Sequence, residues 1–437
     1  MSATVEEREP RVSTGLALLL LAVLISVLAY ALAFLGLRGT LPKELRVYAV
    51  LYMAGSIAAW LVIRWTARRA DPVLFPLAAV LGGLGLAMIY RIMVGRGEPS
   101  FADEQALWLL VGVGVFILTL VLIRDDRQLD GFTYTIGLAG LGLLLLPLAP
   151  GIGFEENGAR LWVRFGSLAF QPAEFGRILI VIFLASYLSG KRELLAEGIG
   201  RFGLPRVKDL GPLLLAWGAS LAVLFFERDM GASFLLFGVF VVMLWIASGR
   251  VGYLVLGVVL FAVGATLGYL VFSHVQARVD IWLHALEPAT VLDQGYGQLA
   301  QSWFALATGG LVGTGLGQGS PTLIPLTASD FIFSAFAEEL GMLGGAALLL
   351  LYVALIGRGL RIGLERMDGF GKLLAVGITT ALALQVFVIV GGVTRLIPLT
   401  GVPLPLVSYG GTSRVATFVM LALLVRVSAG PWQRKAT

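Results

Sequence analysis

Four acidic places interrupt the apolar stretches of this chain, and each could do proton or charge chemistry. Glu174 and Arg177 stand three residues apart, a spacing that puts both on one face of a helix. Glu227, Arg228 and Asp229 separate two apolar runs. Asp330 precedes Phe331-Ile332-Phe333, and Glu338 and Glu339 follow within the same run. A carboxylate so placed can take a proton from a hydroxyl nucleophile or share a cation. Each also has a plainer reading: an ion pair for Glu174 and Arg177, a helix N-cap for Asp330, interhelical hydrogen bonds for Glu338 and Glu339. Residue supply excludes other chemistries. Zero cysteines remove disulfides, thiol nucleophiles and thiolate metal sites. The two histidines, His274 and His284, leave little for a histidine-built metal centre or triad.

The backbone around these acids is irregular by composition. Gly309-Gly310, Gly313, Gly315, Gly317 and Gly319 run towards Asp330 with neither Walker A nor GxGxxG spacing, so no nucleotide site is supported. Such glycines let backbone approach backbone, or turn N–H groups towards an anion. Pro398, Pro403 and Pro405 lead into Ser408-Tyr409-Gly410-Gly411. Prolines there break a helix, and irregular backbone at membrane depth lines a cavity.

The elements that must position these residues are membrane helices. The chain has 437 residues, 58% hydrophobic and 14% charged, against about 45–50% and about 25% in soluble domains. Its mean hydropathy is +0.90. A soluble enzyme, a disordered protein and a single-anchor receptor are excluded. The net charge of +5 is read as positive cytoplasmic loops, with no nucleic-acid partner. Apolar runs predict an all-α polytopic membrane protein of about 12 transmembrane helices. They lie near 14–37, 46–65, 72–94, 105–123, 131–150, 173–189, 210–226, 229–248, 251–272, 331–357, 371–394 and 401–428. The first is too long for a signal peptide, and Glu6, Glu7 and Glu9 crowd its start. With both termini in the cytoplasm, 20 of the 32 Lys and Arg fall inside, including the clusters at 190–208 and 358–372. Two long connections, 151–172 and 273–330, then face outwards. The second carries Trp282, Leu283, Leu286, Trp303 and Phe304, so it is expected to fold back as short amphipathic or re-entrant helices.

Several motifs in order carry a resemblance. Asn157-Gly158-Ala159-Arg160-Leu161-Trp162 precedes Phe170-Gln171-Pro172-Ala173-Glu174-Phe175. Tyr296-Gly297-Gln298 with Gln301-Ser302, Gly313-Thr314-Gly315, Ser329-Asp330-Phe331-Ile332-Phe333 and Ala337-Glu338-Glu339-Leu340-Gly341 follow. Leu399 to Gly411 completes the set. The pattern resembles the SEDS family of shape, elongation, division and sporulation proteins, typified by RodA, FtsW and SpoVE, over roughly residues 72–428. The elongation type is favoured because both tails are short. The resemblance implies a ten-helix core at 72–428, an added two-helix segment at 14–71, and cytoplasmic tails at 1–13 and 429–437. Four departures stand out. Arg177 replaces a usual Lys, Glu227-Arg228-Asp229 replaces a usual Gln-Pro-Asp, Gly391 to Arg395 takes an actinobacterial-looking form, and the first two helices are extra.

The resemblance implies a peptidoglycan glycosyltransferase that polymerises lipid II beside a class B penicillin-binding protein. Asp330, Glu174 and Arg177 are then the expected catalytic residues. Asn157, Arg160, Asp229, Gln298, Gln301, Ser302, Glu338, Arg395, Ser408, Tyr409 and Gly410 are expected to contact substrate. Polymerisation needs a base for the acceptor hydroxyl and cations for the leaving undecaprenyl diphosphate. Arg160, Arg177, Arg395 and Arg414 are candidates for the second task, with a divalent cation (Mg or Mn) as a further expectation. A lipid II flippase or transporter, and a non-enzymatic scaffold for a transpeptidase, are the rival classes.

Overall fold

The computed structural model describes residues 12–42, 45–156, 159–166, 168–196, 211–292 and 297–430. The first helices are α1 (Val12–Arg38), α2 (Leu45–Thr66), α3 (Leu74–Arg96), α4 (Pro99–Leu122), the short α5 (Arg127–Asp130) and α6 (Thr133–Leu145). After the strands β1 (Gly153–Glu156), β2 (Ala159–Phe165) and β3 (Leu168–Phe170) come α7 (Pro172–Gly190), the short α8 (Arg192–Ala196), α9 (Gly211–Phe226), α10 (Met230–Ser248) and α11 (Val251–Val271). The large connection holds α12 (Ser273–His284), α13 (Pro288–Leu292) and α14 (Gln298–Gly309). The chain closes with α15 (Ile332–Glu365), α16 (Gly369–Val393) and α17 (Gly411–Ser428).

Among the described residues ten helices are long and apolar enough to cross a membrane. Two of the twelve expected spans are shorter than that. The run at 131–150 is α6, with 13 residues, stopped at a 3-10 turn holding Pro147. The run at 210–226 is α9, with 16 residues, ended where Glu227 to Asp229 interrupts it. The first of the long connections also departs from an all-helical reading. Its strands form an antiparallel sheet in the order β1-β2-β3, and β2 is tied to the end of α9 by Arg160 N–H donating to Glu227 O at 3.2 Å. The second connection does fold back as short helices.

Burial sorts the helices. α3, α16 and α17 are mostly enclosed, whereas α2 and α11 sit at the rim with Val, Leu and Phe side chains facing outwards. Glycines permit the closest approaches. At Gly85 a Cβ would stand 2.5 Å from Val407 O, so α3 lies directly on the backbone before α17. Both ends of the described chain lie at one end of the bundle. Gly15 of α1 abuts Pro72, and Ser428 Oγ accepts the Asp71 N–H at 3.0 Å. Arg366 locks this end with a two-pronged contact to Asp126 at 2.9 and 2.7 Å. At the other end Arg96 donates to Ile324 O at 2.6 Å, drawing α3 to the loop that carries Asp330.

The glycine run is a backbone-on-backbone turn. Gly313 N–H donates to Gly309 O, and the N–H groups of Thr314 and Gly315 reach the carbonyls of Glu338 and Glu339 at 3.0 and 2.9 Å. Gly341, at φ 69°, kinks α15 to receive the turn. Glu339 accepts Gly317 N–H at 2.9 Å and pairs with Arg91 of α3 at 2.7 Å. Arg91 also donates to Gly319 O at 2.6 Å. The added helix α1 closes over the same turn: Gln318 donates to Gly36 O at 2.7 Å, and a Cβ on Gly36 would meet Leu316 O at 2.0 Å. Arg91 and Glu339 are both fully enclosed. Removing one member of such a pair strands the other charge, at a cost of about 3–5 kcal/mol. Arg91→Met should lower the unfolding midpoint of the purified protein sharply, and Arg91→Met with Glu339→Met should recover much of the loss. An Arg91→Met protein as stable as the native one would show that the pair does not hold the turn.

Candidate functional site

Asp330 sits one residue before Phe331, which starts α15 without any side-chain cap. The N-cap reading of Asp330 therefore has no geometry behind it. Its carboxylate faces Gly401 instead. Asp330 Oδ2 lies 3.6 Å, and both terminal nitrogens of Arg278 lie 3.7 Å, from where a Cβ on Gly401 would stand. Gly401 is exposed and at φ 75°, so the acid and the guanidinium flank an open, left-handed turn. Burial pushes the Asp330 carboxyl above its ordinary value, while the Ser329 hydroxyl and Arg278 pull it back. Arg278 comes from α12 and is held by donating to Leu399 O at 2.8 Å.

The irregular segment 398–410 organises the rest. Tyr409 N–H donates to Ala328 O at 2.7 Å, and Ser408 Oγ donates to Ser329 O at 2.5 Å. Ser408 and Tyr409 thus grip the loop that ends in Asp330. On either side of Gly401 in the chain, Thr400 and Val402 meet α10: a Cβ on Gly231 would meet Val402, Asp229 and Thr400 side-chain atoms at 2.0, 3.4 and 3.4 Å. Asp229 and Asp330 therefore both stand close to the 400–402 turn. Asp229 Oδ1 also caps α10 by accepting Ala232 N–H at 2.8 Å.

Below the turn, Glu174 and Arg177 on α7 form a close ion pair. They line a small cavity with Leu235, Val239, Gln385 and Met420. At about 20 Å³ it has room for one water. Gln385 links it to the turn by donating to Pro403 O at 2.8 Å.

The remaining candidates scatter. Asn157 lies outside the described residues. Arg160 is half-buried on β2. Ser302 is buried and bonds Ser334 at 2.6 Å, Gln301 points an unpartnered oxygen inwards, and Gln298 is half-buried at the start of α14. Glu338 accepts Ser320 N–H at 2.8 Å with one oxygen and leaves the other without a partner. Arg395 is taken up by the carbonyls of Trp282 and Leu283 at 2.7 and 2.6 Å, so it ties α12 down. Arg414 is buried; with the Gln105 amide turned so that its oxygen faces the guanidinium, it donates there at 2.6 and 2.9 Å. Gly410 precedes the first residue of α17.

This order of motifs on this framework has known counterparts. A family model described as Cell cycle protein, covering FtsW, RodA and SpoVE, matches residues 72–431. The chain belongs to the FtsW/RodA/SpoVE family. It is 44% identical to the peptidoglycan glycosyltransferase RodA of Mycobacterium leprae, covering 96% of this chain and 90% of that one. So extensive a match takes in the helix pair that precedes the family model. A solved chain from a peptidoglycan synthase complex, described as coordinating polymerization and crosslinking, superposes with a TM-score of 0.67. It is 27% identical, covering 82% of this chain and 97% of its own. The rod shape determining protein RodA of Thermus thermophilus gives 0.56 at 26% identity, covering 82% and 96%.

Within this FtsW/RodA/SpoVE chain, Arg278, Gln385 and Gln105 went unnoticed in the sequence. Arg278 is separated from Asp330 by a long loop, and neither glutamine is marked by local pattern. Among the described residues no three His, Cys, Asp or Glu side chains converge to hold a metal. The cation beside Asp330 is Arg278.

Glu227, in the departed Gln-Pro-Asp position, is wholly buried with both carboxyl oxygens unpartnered. Burial, and then the charge of Asp229, push it up to about 8. The folded chain keeps that proton up to about pH 8, whereas an unfolded chain loses it near the ordinary 4.5. The contribution to stability is therefore full below about 4.5 and falls as pH rises to about 8. Glu227→Gln should flatten the decline of the unfolding midpoint between pH 5 and 8 and stabilise the protein most at the alkaline end. An unchanged midpoint-against-pH curve would contradict the raised value.

Proposed function

We propose that this chain, a multi-pass membrane peptidoglycan glycosyltransferase, joins lipid II disaccharides into glycan strands with Asp330 as general base. The observation that carries the reading is the exposed Gly401 turn with the half-buried Asp330 carboxylate against it and the Arg278 guanidinium, anchored on Leu399 O, beside it. The acceptor sugar hydroxyl gives its proton to Asp330 as its oxygen bonds the donor anomeric carbon. The bond from that carbon to the diphosphate oxygen breaks, and undecaprenyl diphosphate leaves with the electron pair. Arg278 is placed to stabilise the growing phosphate charge. Asp330 then hands its proton to solvent.

The Asp330 end faces outwards in this reading, and both termini face the cytoplasm. Positive clusters motivate it: Arg64, Arg68 and Arg69, then Arg358, Arg361 and Arg366, crowd the opposite end. A class B penicillin-binding protein is the proposed partner, supported by the likeness to a chain that works in a polymerising and crosslinking complex. The Glu174–Arg177 pair lines the inner cavity under the turn and is proposed to hold the turn's geometry during turnover.

The test is glycan chain length made from lipid II by purified protein with its transpeptidase. Asp330→Ala and Asp330→Asn should both fall by about 10²–10⁴-fold, the usual worth of a general base. An active Asp330→Asn protein would remove Asp330 from that role. A flippase or scaffold would make no polymer even as the native protein.

A further inference from the structure

A cleft opens at the end of the bundle opposite Asp330, where the start of α1 and the end of α2 meet the turn into α3. Gly15, Trp60, Arg64, Arg68, Asp71 and Pro72 line it. Gly15 makes the cleft possible: a Cβ there would stand 3.2 Å from Pro72 Cβ and 3.7 Å from the Trp60 indole nitrogen. The family model begins at residue 72, so the cleft lies at the seam between the added helix pair and the family core.

Its charge is unbalanced. Asp71 is the one acid on the wall, and both its oxygens are committed. Oδ1 accepts Val73 N–H at 2.8 Å, and Oδ2 pairs with Arg358 at 3.2 Å. Arg64 is half-buried and donates one N–H to Arg68 O at 3.3 Å. Among the described residues neither Arg64 nor Arg68 has a carboxylate partner. Arg64 and Arg68 thus line a cleft whose enclosed part is about 30 Å³. That fits a single anionic group seated at the mouth, not a large ligand drawn inside. Immediately above, α1 and α2 turn apolar side chains outwards, including Leu20, Leu21, Leu24 and Leu61. Trp65 is exposed at the same level, as an aromatic at a membrane interface is.

We infer that this cleft binds the phosphodiester headgroup of an anionic membrane phospholipid, with Arg64 and Arg68 on the phosphate and the acyl chains along α1 and α2. A general excess of positive loop charge needs no cleft. Two arginines without acid partners, lining one cleft below an apolar helix face, match a charged head joined to apolar tails. The bound lipid would fasten the added helices to the core.

The experiment titrates the full chain, in neutral detergent, with phosphatidylglycerol and with phosphatidylcholine, and reads lipid adducts by native mass spectrometry. The expected result is a preference for phosphatidylglycerol that weakens about fivefold for each arginine lost in Arg64→Gln and Arg68→Gln. Arg64→Lys should keep most of it. Arg69→Gln, off the cleft wall, should change it little. Arg68 is exposed, so Arg68→Gln tests the site without risk to folding. The inference is overturned if Arg64→Gln with Arg68→Gln keeps the full preference, or if Arg69→Gln costs as much as either. It is also overturned if glycerol phosphate or inorganic phosphate displaces the lipid at equal concentration. A chain lacking residues 2–10 that gains lipid where the full chain shows none would mean that Glu6, Glu7 and Glu9 fill the cleft instead.

Discussion

Backbone N–H and C=O groups inside an apolar bundle must all find partners, and the helix-free segment 398–410 is where this chain meets that demand. Side chains answer it. Arg278 takes Leu399 O, Gln385 takes Pro403 O, and Tyr352 takes Pro405 O at 2.5 Å. Ser408 Oγ accepts Leu404 N–H at 2.8 Å, and Tyr409 N–H finds Ala328 O. Losing one such partner strands a buried carbonyl, at about 1–3 kcal/mol. The satisfied backbone and the candidate site are consequently one structure. The residues that solvate the segment are those that fix Asp330, Arg278 and the cavity of Glu174 around it.

That economy explains the neighbouring architecture. α15 must present Asp330 to the turn, so its first half is pinned by the glycine run, by Arg91 and by α1. α10 brings Asp229 close to the same turn, its N-terminus abutting Thr400 and Val402 through Gly231. Buried charges are paired towards both ends, Arg91 with Glu339 towards Asp330 and Arg366 with Asp126 at the other. Asp330 and Arg278 differ from both pairs: they meet at the exposed Gly401 turn without a direct ion pair.

The helices were legible because an apolar run of the right length has few other uses in a membrane. The run expected at 131–150 stops at Pro147 and the one expected at 401–428 is helical only from Gly411, where the prolines and glycines before it hold irregular backbone. The sheet was missed although Trp162 and Val163 favour strands; Arg160 to Arg164 shows no polar–apolar alternation, so the sequence carried no period-2 signal for pairing. Asp330 stood out as an acid beside apolar residues. Arg278 did not, because its importance comes from meeting Asp330 in space across 52 positions of chain. Arg395 illustrates the reverse: a cation in the right region whose donors are already spent on carbonyls.

The central claim is that Asp330 works as an ionised carboxylate whose charge is set by burial against Arg278. The pH dependence of kcat/KM for glycan polymerisation measures this directly in the native protein and in Arg278→Gln. Removing the cation leaves burial unopposed by it, so the carboxyl holds its proton to higher pH. The acid limb of the profile should shift towards alkaline pH in Arg278→Gln, on top of any loss of rate. An acid limb that stays where the native protein has it would contradict the account.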